Sequence, residues 1–187
     1  MTTASAVELR RVDTLAPVRE QLISVYADVR APLLSQPNYA VPAFSERLDR
    51  HGGDPGFSAV LAYTEEGEPV GYAYGNVIEH GDRWWRRISP EPAAKYTERP
   101  AVALKEIGVR LRWRKTGTAR RIHDALLADR TERYVTLMVN PAAGEGKVHR
   151  LYESWGYWDI GTSQPSPESP PLAAMLRFVT YCGATNW

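Results

Sequence analysis

The sequence predicts a single α/β domain, built on an α+β mixed sheet of six or seven strands with helices on its flanks. Three observations favour this class. Strand-like and helical stretches alternate along the 187 residues. Two strand-like runs on either side of residues 64–69 are close enough to pair as an antiparallel hairpin. A later strand leads through a basic turn into an amphipathic helix. Because the hairpin precedes the first crossover, the predicted sheet is mixed, not wholly parallel.

The elements of the first half follow from hydrophobic spacing. Apolar residues recur at helical intervals from Val18 to Val29, which predicts a helix that Pro32 ends. A second helix over residues 41–50 stops at a Gly-Gly pair. Predicted strands cover residues 7–12, 57–63 and 70–77, and residues 65–68 form the predicted hairpin turn.

The second half opens with a long polar segment. Residues 80–100 contain several prolines and the adjacent Trp84 and Trp85, which predicts a functional loop or a short irregular helix. Predicted strands then cover residues 101–109, 134–139, 157–161 and 172–180, and predicted helices cover residues 116–129 and 148–155.

Composition excludes several classes of partner and site. The 23 basic and 22 acidic residues nearly cancel, so no global field favours nucleic acid or an anionic membrane surface. No stretch approaches the ~20 apolar residues of a membrane-spanning helix, and the first seven residues are not expected to act as a targeting signal. The single cysteine, Cys182, excludes an intramolecular disulfide and favours the cytoplasm. The four histidines show no ligand spacing, so we expect no metal site.

The most informative segment is a strand, a basic turn and a helix over residues 106–122. The N–H groups and the positive dipole end of a helix N-terminus favour a pyrophosphate. Gly117 allows the backbone to approach the phosphates, and Thr118 provides a hydroxyl donor. The small side chain of Ala119 keeps the first helical turn narrow. Taken alone, the pattern is also that of a solvated basic turn. The candidate phosphate-binding residues are Arg114, Lys115, Thr116, Gly117, Thr118 and Ala119.

This segment resembles the acetyl-CoA motif of the GNAT N-acetyltransferases, Q/R-x-x-G-x-G/A, through Arg114, Gly117 and Ala119. Downstream, Leu151-Tyr152-Glu153-Ser154-Trp155-Gly156-Tyr157 is similar to the L-Y-x-x-x-G-F/Y segment of that family's last helix. The hairpin at residues 67–72 is similar too, so the resemblance covers roughly residues 57–161 in family order. The sequence departs from the family at Leu111, where proline is common, and at residues 145–146, where an asparagine often stands.

The resemblance implies transfer of an acetyl group from acetyl-CoA to a primary amine in a ternary complex. It also implies a GNAT-like sheet with a splayed central strand pair, which exposes backbone amides at Ile107 and Val109 to pantetheine. Tyr152 would be the general acid that protonates the departing thiolate. The alternative is that Tyr152 is a packing tyrosine near a helix end.

Glu106 is the candidate general base, because it is an ionisable residue within a strand-like run. A carboxylate tied to a neighbouring arginine explains Glu106 equally well. His80 and water are the other candidates for the base.

Four aromatic residues form the candidate acceptor pocket. Tyr72 and Tyr74 alternate onto one face of their strand, and Trp84 and Trp85 follow in the long segment. Core packing explains the tyrosines nearly as well. Two consecutive tryptophans cannot both point inward along a strand, which favours a binding role for one of them.

Other functions are also compatible with the sequence. The chain could be a catalytically silent acyl-CoA-binding or interaction module on the same fold, or an acetyltransferase of protein N-termini or lysines. The near-neutral charge and the aromatic segment favour a small acceptor. The sequence has no P-loop, no dinucleotide-binding glycine motif and no nucleophile elbow. It also leaves open whether the chain forms a homodimer.

Overall fold

A computed structural model describes residues 7–167 and 169–179, so Cys182 and the predicted strand end at Thr180 lie outside the described residues. The strands are β1 (Glu8–Val12), β2 (Ser58–Tyr63), β3 (Pro69–Ile78), β4 (Ile88–Ser89), β5 (Ala101–Val109), β6 (Tyr134–Val139), β7 (Trp158–Ser163) and β8 (Leu172–Phe178). The helices are α1 (Arg19–Val29), α2 (Val41–Gly52), α3 (Arg83–Arg86), α4 (Ala94–Thr97), α5 (Thr118–Leu127) and α6 (Lys147–Ser154).

The sheet is mixed, as the sequence predicts. Its strands hydrogen-bond in the order β1-β2-β3-β5-β6-β8-β7-β4. β5 and β6 are parallel, whereas the β1·β2, β2·β3, β6·β8, β7·β8 and β4·β7 pairs are antiparallel. The predicted hairpin turn is confirmed, because the Thr64 N–H donates to the Glu68 carbonyl at 2.9 Å.

The predicted strand number was too low. Within residues 7–167 and 169–179, the sheet has eight strands rather than six or seven. The additional strand is β4, which lies within the segment predicted as a loop or short helix. Only two residues long, it pairs with Ser163 and Thr162 of β7. A strand of this length carries no period-two pattern, so hydrophobic spacing cannot reveal it.

The pairing between β5 and β6 is short. Val102 pairs with Val135 and Ala103 with Thr136. β5 continues to Val109 and β6 to Val139, beyond these paired positions. The registered pairs therefore lie near the beginning of both strands, and the splay of this central pair stays a prediction.

Two compact units can be distinguished within the chain. The first comprises the described residues up to Asn76 together with Lys105–Ala128, and the second comprises Val77–Leu104 together with the described residues from Asp129 onward. The single-domain expectation stays a prediction. Among the described residues, no helix is both long and apolar enough to cross a bilayer.

The core of the first unit is formed by α1, α2 and the inner face of β2 and β3. The rings of Tyr26 on α1 and Phe44 on α2 stack with centroids 3.6 Å apart. These side chains are buried because both helices turn their apolar stripe towards the strands. Other buried members of this cluster are Leu22, Val25, Leu48, Leu61, Tyr72 and Tyr74.

Gly71 on β3 lies where three elements of the first unit meet. A Cβ at this position would lie 2.9 Å from Ile122 Cδ1 of α5 and 3.1 Å from Val109 Cγ2 of β5. The absence of a side chain therefore allows α5 and β5 to pack closely on β3.

Replacing Gly71 with valine is expected to destabilise the protein. Overpacking of a dense core costs about 1–3 kcal/mol, and the free energy of unfolding in urea measures it. Gly53→Ala is the matched control, since a Cβ there would lie 3.6 Å from its nearest neighbour, the Arg50 carbonyl oxygen. Equal unfolding free energies for Gly71→Val and the wild type would contradict this packing.

The core of the second unit is rich in aromatic residues. Trp85 of α3 and Ile88 of β4 are buried with Tyr134 and Leu176 of the strands. Asp82 begins α3, because its carboxylate accepts a 2.7 Å hydrogen bond from the Trp84 N–H. The segment 80–100 thus contains two short helices and a strand in place of a long loop.

Candidate active site

The predicted strand-turn-helix is present in the first unit. After β5, the Arg110 N–H donates to the Val70 carbonyl at 2.9 Å, and a 3-10 turn follows at Leu111–Trp113. Arg114 Nε donates to the Val109 carbonyl at 3.2 Å, which holds this guanidinium against the strand end. Gly117 precedes α5 with φ of 83°, a left-handed conformation that glycine adopts without steric cost.

The turn presents charge and backbone donors to solvent. The side chains of Arg114, Lys115 and Thr116 are exposed. Among the described residues no side chain caps the N-terminus of α5, and the first N–H groups of a helix have no intrahelical acceptor. This arrangement suits an anion such as a phosphate.

Thr118 differs from the other residues of the turn, because its side chain is buried. Its Oγ1 lies 2.8 Å from Thr116 Oγ1, and Thr116 Oγ1 lies 2.6 Å from the Trp113 carbonyl. Both hydroxyls are thus engaged within the turn. The backbone N–H of Thr118 is the better candidate for a phosphate contact.

Glu106, the candidate base, forms an ion pair within the first unit. Arg30, which follows α1, donates from Nη2 to Glu106 Oε1 at 2.8 Å. The side chains are 31% and 16% exposed, so both are accessible but largely buried. This contact agrees with the alternative interpretation of Glu106, in which its carboxylate is paired with an arginine. A base role for Glu106 stays a prediction.

Tyr72 and Tyr74 lie on β3 in the same unit, with their rings 6.4 Å apart and nearly parallel. Both are buried, and burial, followed by the Glu106 charge, raises the pKa of each phenol well above its ordinary value. The Tyr72 hydroxyl has no hydrogen-bond partner among the described residues. Their burial matches the core-packing alternative, and their assignment to an acceptor pocket stays a prediction.

His51, near the end of α2, is a residue of the first unit that the sequence does not mark as functional. Its Nδ1 lies 3.3 Å from the Tyr74 hydroxyl. Burial lowers the pKa of His51 to about 4, and nearby positive charges, led by Lys105, act in the same direction. The imidazole is therefore neutral at physiological pH. Nothing in the local sequence distinguishes this histidine from one on a helix surface.

The shifted pKa of His51 predicts a pH dependence of stability. The pKa of His51 in the folded state is below its ordinary value of 6.5, so the unfolded state binds the proton more readily. The contribution of neutral His51 to the stability of the folded state is therefore complete above pH 6.5. It is lost as the pH falls towards about 4. We expect the free energy of unfolding to decrease through this window, and to decrease less in His51→Gln. The exposed His80, changed to Gln, is the control. Identical pH slopes for His51→Gln and the wild type would contradict the assignment.

Tyr152, the candidate general acid, belongs to the second unit and lies on α6. Its ring makes edge-on contacts with Trp155 at 5.5 Å and with Tyr157 at 5.6 Å between centroids. Only 8% of the residue is exposed. The aromatic contacts fix the ring, as either a packing tyrosine or a positioned acid would require, so the acid role stays a prediction.

Trp84 and Trp85 also belong to the second unit. Trp85 is buried, whereas the half-buried Trp84 donates from Nε1 to Thr136 Oγ1 at 3.3 Å. Trp85 lines a cavity of about 300 Å³ with His80, Arg86, Ile88, Glu91 and Thr97. The structure thus assigns the four predicted pocket aromatics to two units, with the tyrosines in the first and the tryptophans in the second.

In the part of the chain that the structure describes, one group of possible metal ligands occurs, and it lies in the second unit. His149 and Glu153 lie one turn apart on α6, Asp159 lies on β7, and their ligand atoms are within 4.8 Å of one another. His149 Nε2 lies 2.9 Å from Asp159 Oδ1. Both carboxylates are about half exposed, at 51% and 54%, and such exposed acidic groups are common without an ion. We assign no metal to this group.

No family model and no curated protein matches the sequence, whereas many solved structures match the fold. An acetyltransferase of the GNAT family from Staphylococcus aureus Mu50 has a TM-score of 0.59 at 13% identity, over 92% of this chain and 100% of that one. The ribosomal-protein-S18-alanine N-acetyltransferase from Escherichia coli has a TM-score of 0.63 at 13% identity, over 96% and 99%.

A spermidine N-acetyltransferase chimera of Vibrio cholerae SpeG and hSSAT has a TM-score of 0.59 at 14% identity, over 92% of this chain and 95% of that one. Identities this low establish a shared fold and leave the substrate undetermined. The mixed eight-stranded sheet and the near-complete coverage agree with the resemblance found in the sequence. The chain therefore has the fold of the GNAT-family acetyltransferases.

Proposed function

We propose that this protein is an N-acetyltransferase that moves an acetyl group from acetyl-CoA to a primary amine, most simply that of a small molecule. The observation that carries this proposal is the basic turn before α5. It combines a left-handed Gly117, exposed Arg114 and Lys115, and an uncapped helix N-terminus. These are the features that bind the phosphates of coenzyme A. Cytoplasmic location is proposed as well, from the single cysteine of the sequence.

The reaction needs three contributions from the protein. Acetyl-CoA supplies an activated thioester, and the amine nitrogen forms a bond to its acyl carbon as the bond from carbon to sulfur breaks. Glu106 takes the proton that the amine loses, directly or through water. Tyr152 donates its phenolic proton to the leaving sulfur. Backbone N–H groups at Ile107 and Val109 hold the pantetheine arm.

The enzymes of similar structure act on two kinds of amine acceptor. One of those enzymes is a spermidine acetyltransferase and another acts on the alanine of a ribosomal protein. We favour a small amine because the sequence charges nearly cancel, with 23 basic and 22 acidic residues. A peptide acceptor is the second candidate.

A panel of acceptors tests this proposal. Release of coenzyme A thiol from acetyl-CoA is measured with spermidine, free amino acids, an alanine-initiated peptide and an internal-lysine peptide. We expect a small amine to give the highest kcat/KM. Preference for a peptide would replace the small-molecule acceptor with a protein, and coenzyme binding without turnover would favour the catalytically silent alternative.

Glu106→Gln tests the proposed base. The amide cannot accept a proton, so kcat is expected to fall and the acidic limb of the pH–rate profile to flatten. Glu68→Gln is a control on an exposed carboxylate that pairs with Arg110. If Glu106→Gln keeps the acidic limb, the base is His80, water or no residue of the protein.

A further inference from the structure

The ion pair of Arg30 and Glu106 joins residues 76 positions apart in the sequence. The backbone of Arg30 is fixed by the end of α1, where its N–H donates to the Tyr26 carbonyl at 2.9 Å. From this fixed point, Arg30 Nη2 reaches Glu106 Oε1 at 2.8 Å. A helix end thus holds the cation that contacts the proposed base.

The packing of α1 on β5 explains why the two residues meet. Glu106 and Gly108 lie two positions apart and therefore share one face of β5. A Cβ at Gly108 would lie 3.2 Å from Val29 Cγ1 and 3.3 Å from Tyr72 Cε1. The bare glycine lets α1 and the Tyr72 ring approach this face, and Val29 is adjacent to Arg30. Gly108 therefore brings the guanidinium close to the carboxylate.

Three phenols also sense the charge of Glu106. Burial and then Glu106 raise the pKa of Tyr26, Tyr72 and Tyr74. Burial lowers the pKa of Arg30 whereas Glu106 raises it, and the net shift is upward. Arg30 therefore remains a cation, and the hydrogen bond that Glu106 accepts among the described residues comes from it.

Two buried polar groups beside this ion pair reduce the stability of the folded protein. Arg30 Nε and the Tyr72 hydroxyl are both buried and have no hydrogen-bond partner among the described residues. A partly buried ion pair contributes little to stability once desolvation is counted, and unpaired buried donors add a further penalty. A stabilising role therefore explains the pair poorly.

We propose that Arg30 is a positioning residue: its guanidinium holds the Glu106 carboxylate in the orientation from which it takes the acceptor's proton. This inference rests on the proposed function of Glu106. We propose no contact of Arg30 with the acceptor or with the coenzyme. It acts on the reaction only through the carboxylate.

A double-mutant cycle tests this dependence. Arg30→Gln, Arg30→Lys, Glu106→Gln and the Arg30→Gln/Glu106→Gln double variant are compared with acetyl-CoA and the best acceptor among spermidine, free amino acids and alanine- or lysine-containing peptides. Arg30→Gln is expected to lower kcat by about tenfold, with less than about a threefold change in KM for acetyl-CoA. In the Glu106→Gln background, the same change is expected to alter kcat by less than about twofold.

Further readouts separate positioning from a structural role. Arg30→Lys keeps the charge and is expected to restore part of kcat. The matched control is Arg19→Gln, at the start of α1, whose guanidinium pairs with Asp49 at 2.7 Å. It is expected to leave kcat unchanged.

The outcomes that overturn this inference differ from those that overturn the proposed function. Full additivity of the two substitutions, or a wild-type kcat in Arg30→Gln, would refute the positioning role while leaving Glu106 as the base. If Glu106→Gln alone has no effect on kcat or on its pH profile, the proposed base is wrong and the inference falls with it. Absence of turnover with every acceptor would overturn both.

Discussion

Tyr152→Phe is expected to lower kcat by roughly ten- to a thousandfold while leaving the affinity for coenzyme A nearly unchanged. The proposed role of the hydroxyl is to protonate the departing thiolate, and acid catalysis contributes on this scale. The ring itself is fixed by Trp155 and Tyr157, and phenylalanine preserves these aromatic contacts. Steady-state kinetics with a saturating acceptor and calorimetric titration of coenzyme A measure the two quantities.

The same substitution has a different outcome if Tyr152 only packs. Loss of a hydroxyl from a packed ring costs at most about 1 kcal/mol of stability and leaves the rate nearly intact. Tyr157→Phe is the matched control, since Tyr157 is a buried tyrosine of the same aromatic cluster with no proposed chemistry. Equal kcat values for Tyr152→Phe, Tyr157→Phe and the wild type would remove Tyr152 from the mechanism.

Gly117→Val is expected to weaken coenzyme A binding by roughly a hundredfold. A β-branched residue is strongly disfavoured at φ of 83°, so the start of α5 must rearrange and its N–H groups shift away from the phosphates. Hydrogen bonds to charged groups contribute about 1.5–3 kcal/mol each, and about 1.4 kcal/mol corresponds to a tenfold change in affinity. Loss of one or two such contacts gives the expected effect.

Gly67→Val separates the loss of the site from the cost of backbone strain. Gly67 has φ of 84° in the hairpin turn, and a Cβ there or at Gly117 meets nothing within 4 Å. The two substitutions therefore impose the same kind of strain, but only Gly117 adjoins the proposed phosphate site. Comparable losses of affinity in both variants, or an unchanged affinity in Gly117→Val, would contradict the assignment.

Much of the fold could be predicted because it depends on local patterns. The strands Ala101–Val109 and Tyr134–Val139 have the bounds that their apolar runs predict. Helix α5 begins two residues later than predicted, at Thr118, because Gly117 is its cap. The mixed character of the sheet follows from a hairpin whose turn residues are recognisable in sequence.

The parts that could not be predicted depend on tertiary contacts. Nothing in the sequence pairs Arg30 with Glu106, because their contact requires α1 to pack on β5 at Gly108. The contact of His51 with the Tyr74 hydroxyl likewise joins residues that are 23 positions apart. The two-residue strand β4 is fixed by pairing with β7 rather than by its own sequence.

Transfer of isotopically labelled acetyl from acetyl-CoA to an amine tests the central claim most directly. The wild-type protein is mixed with labelled acetyl-CoA and the acceptor panel, and both free coenzyme A thiol and labelled acetylated amine are quantified by mass spectrometry. We expect the two products to appear in equal amounts, and both to decrease together in Tyr152→Phe. Binding of acetyl-CoA with no labelled amine above the protein-free control would contradict the proposed acetyltransferase activity.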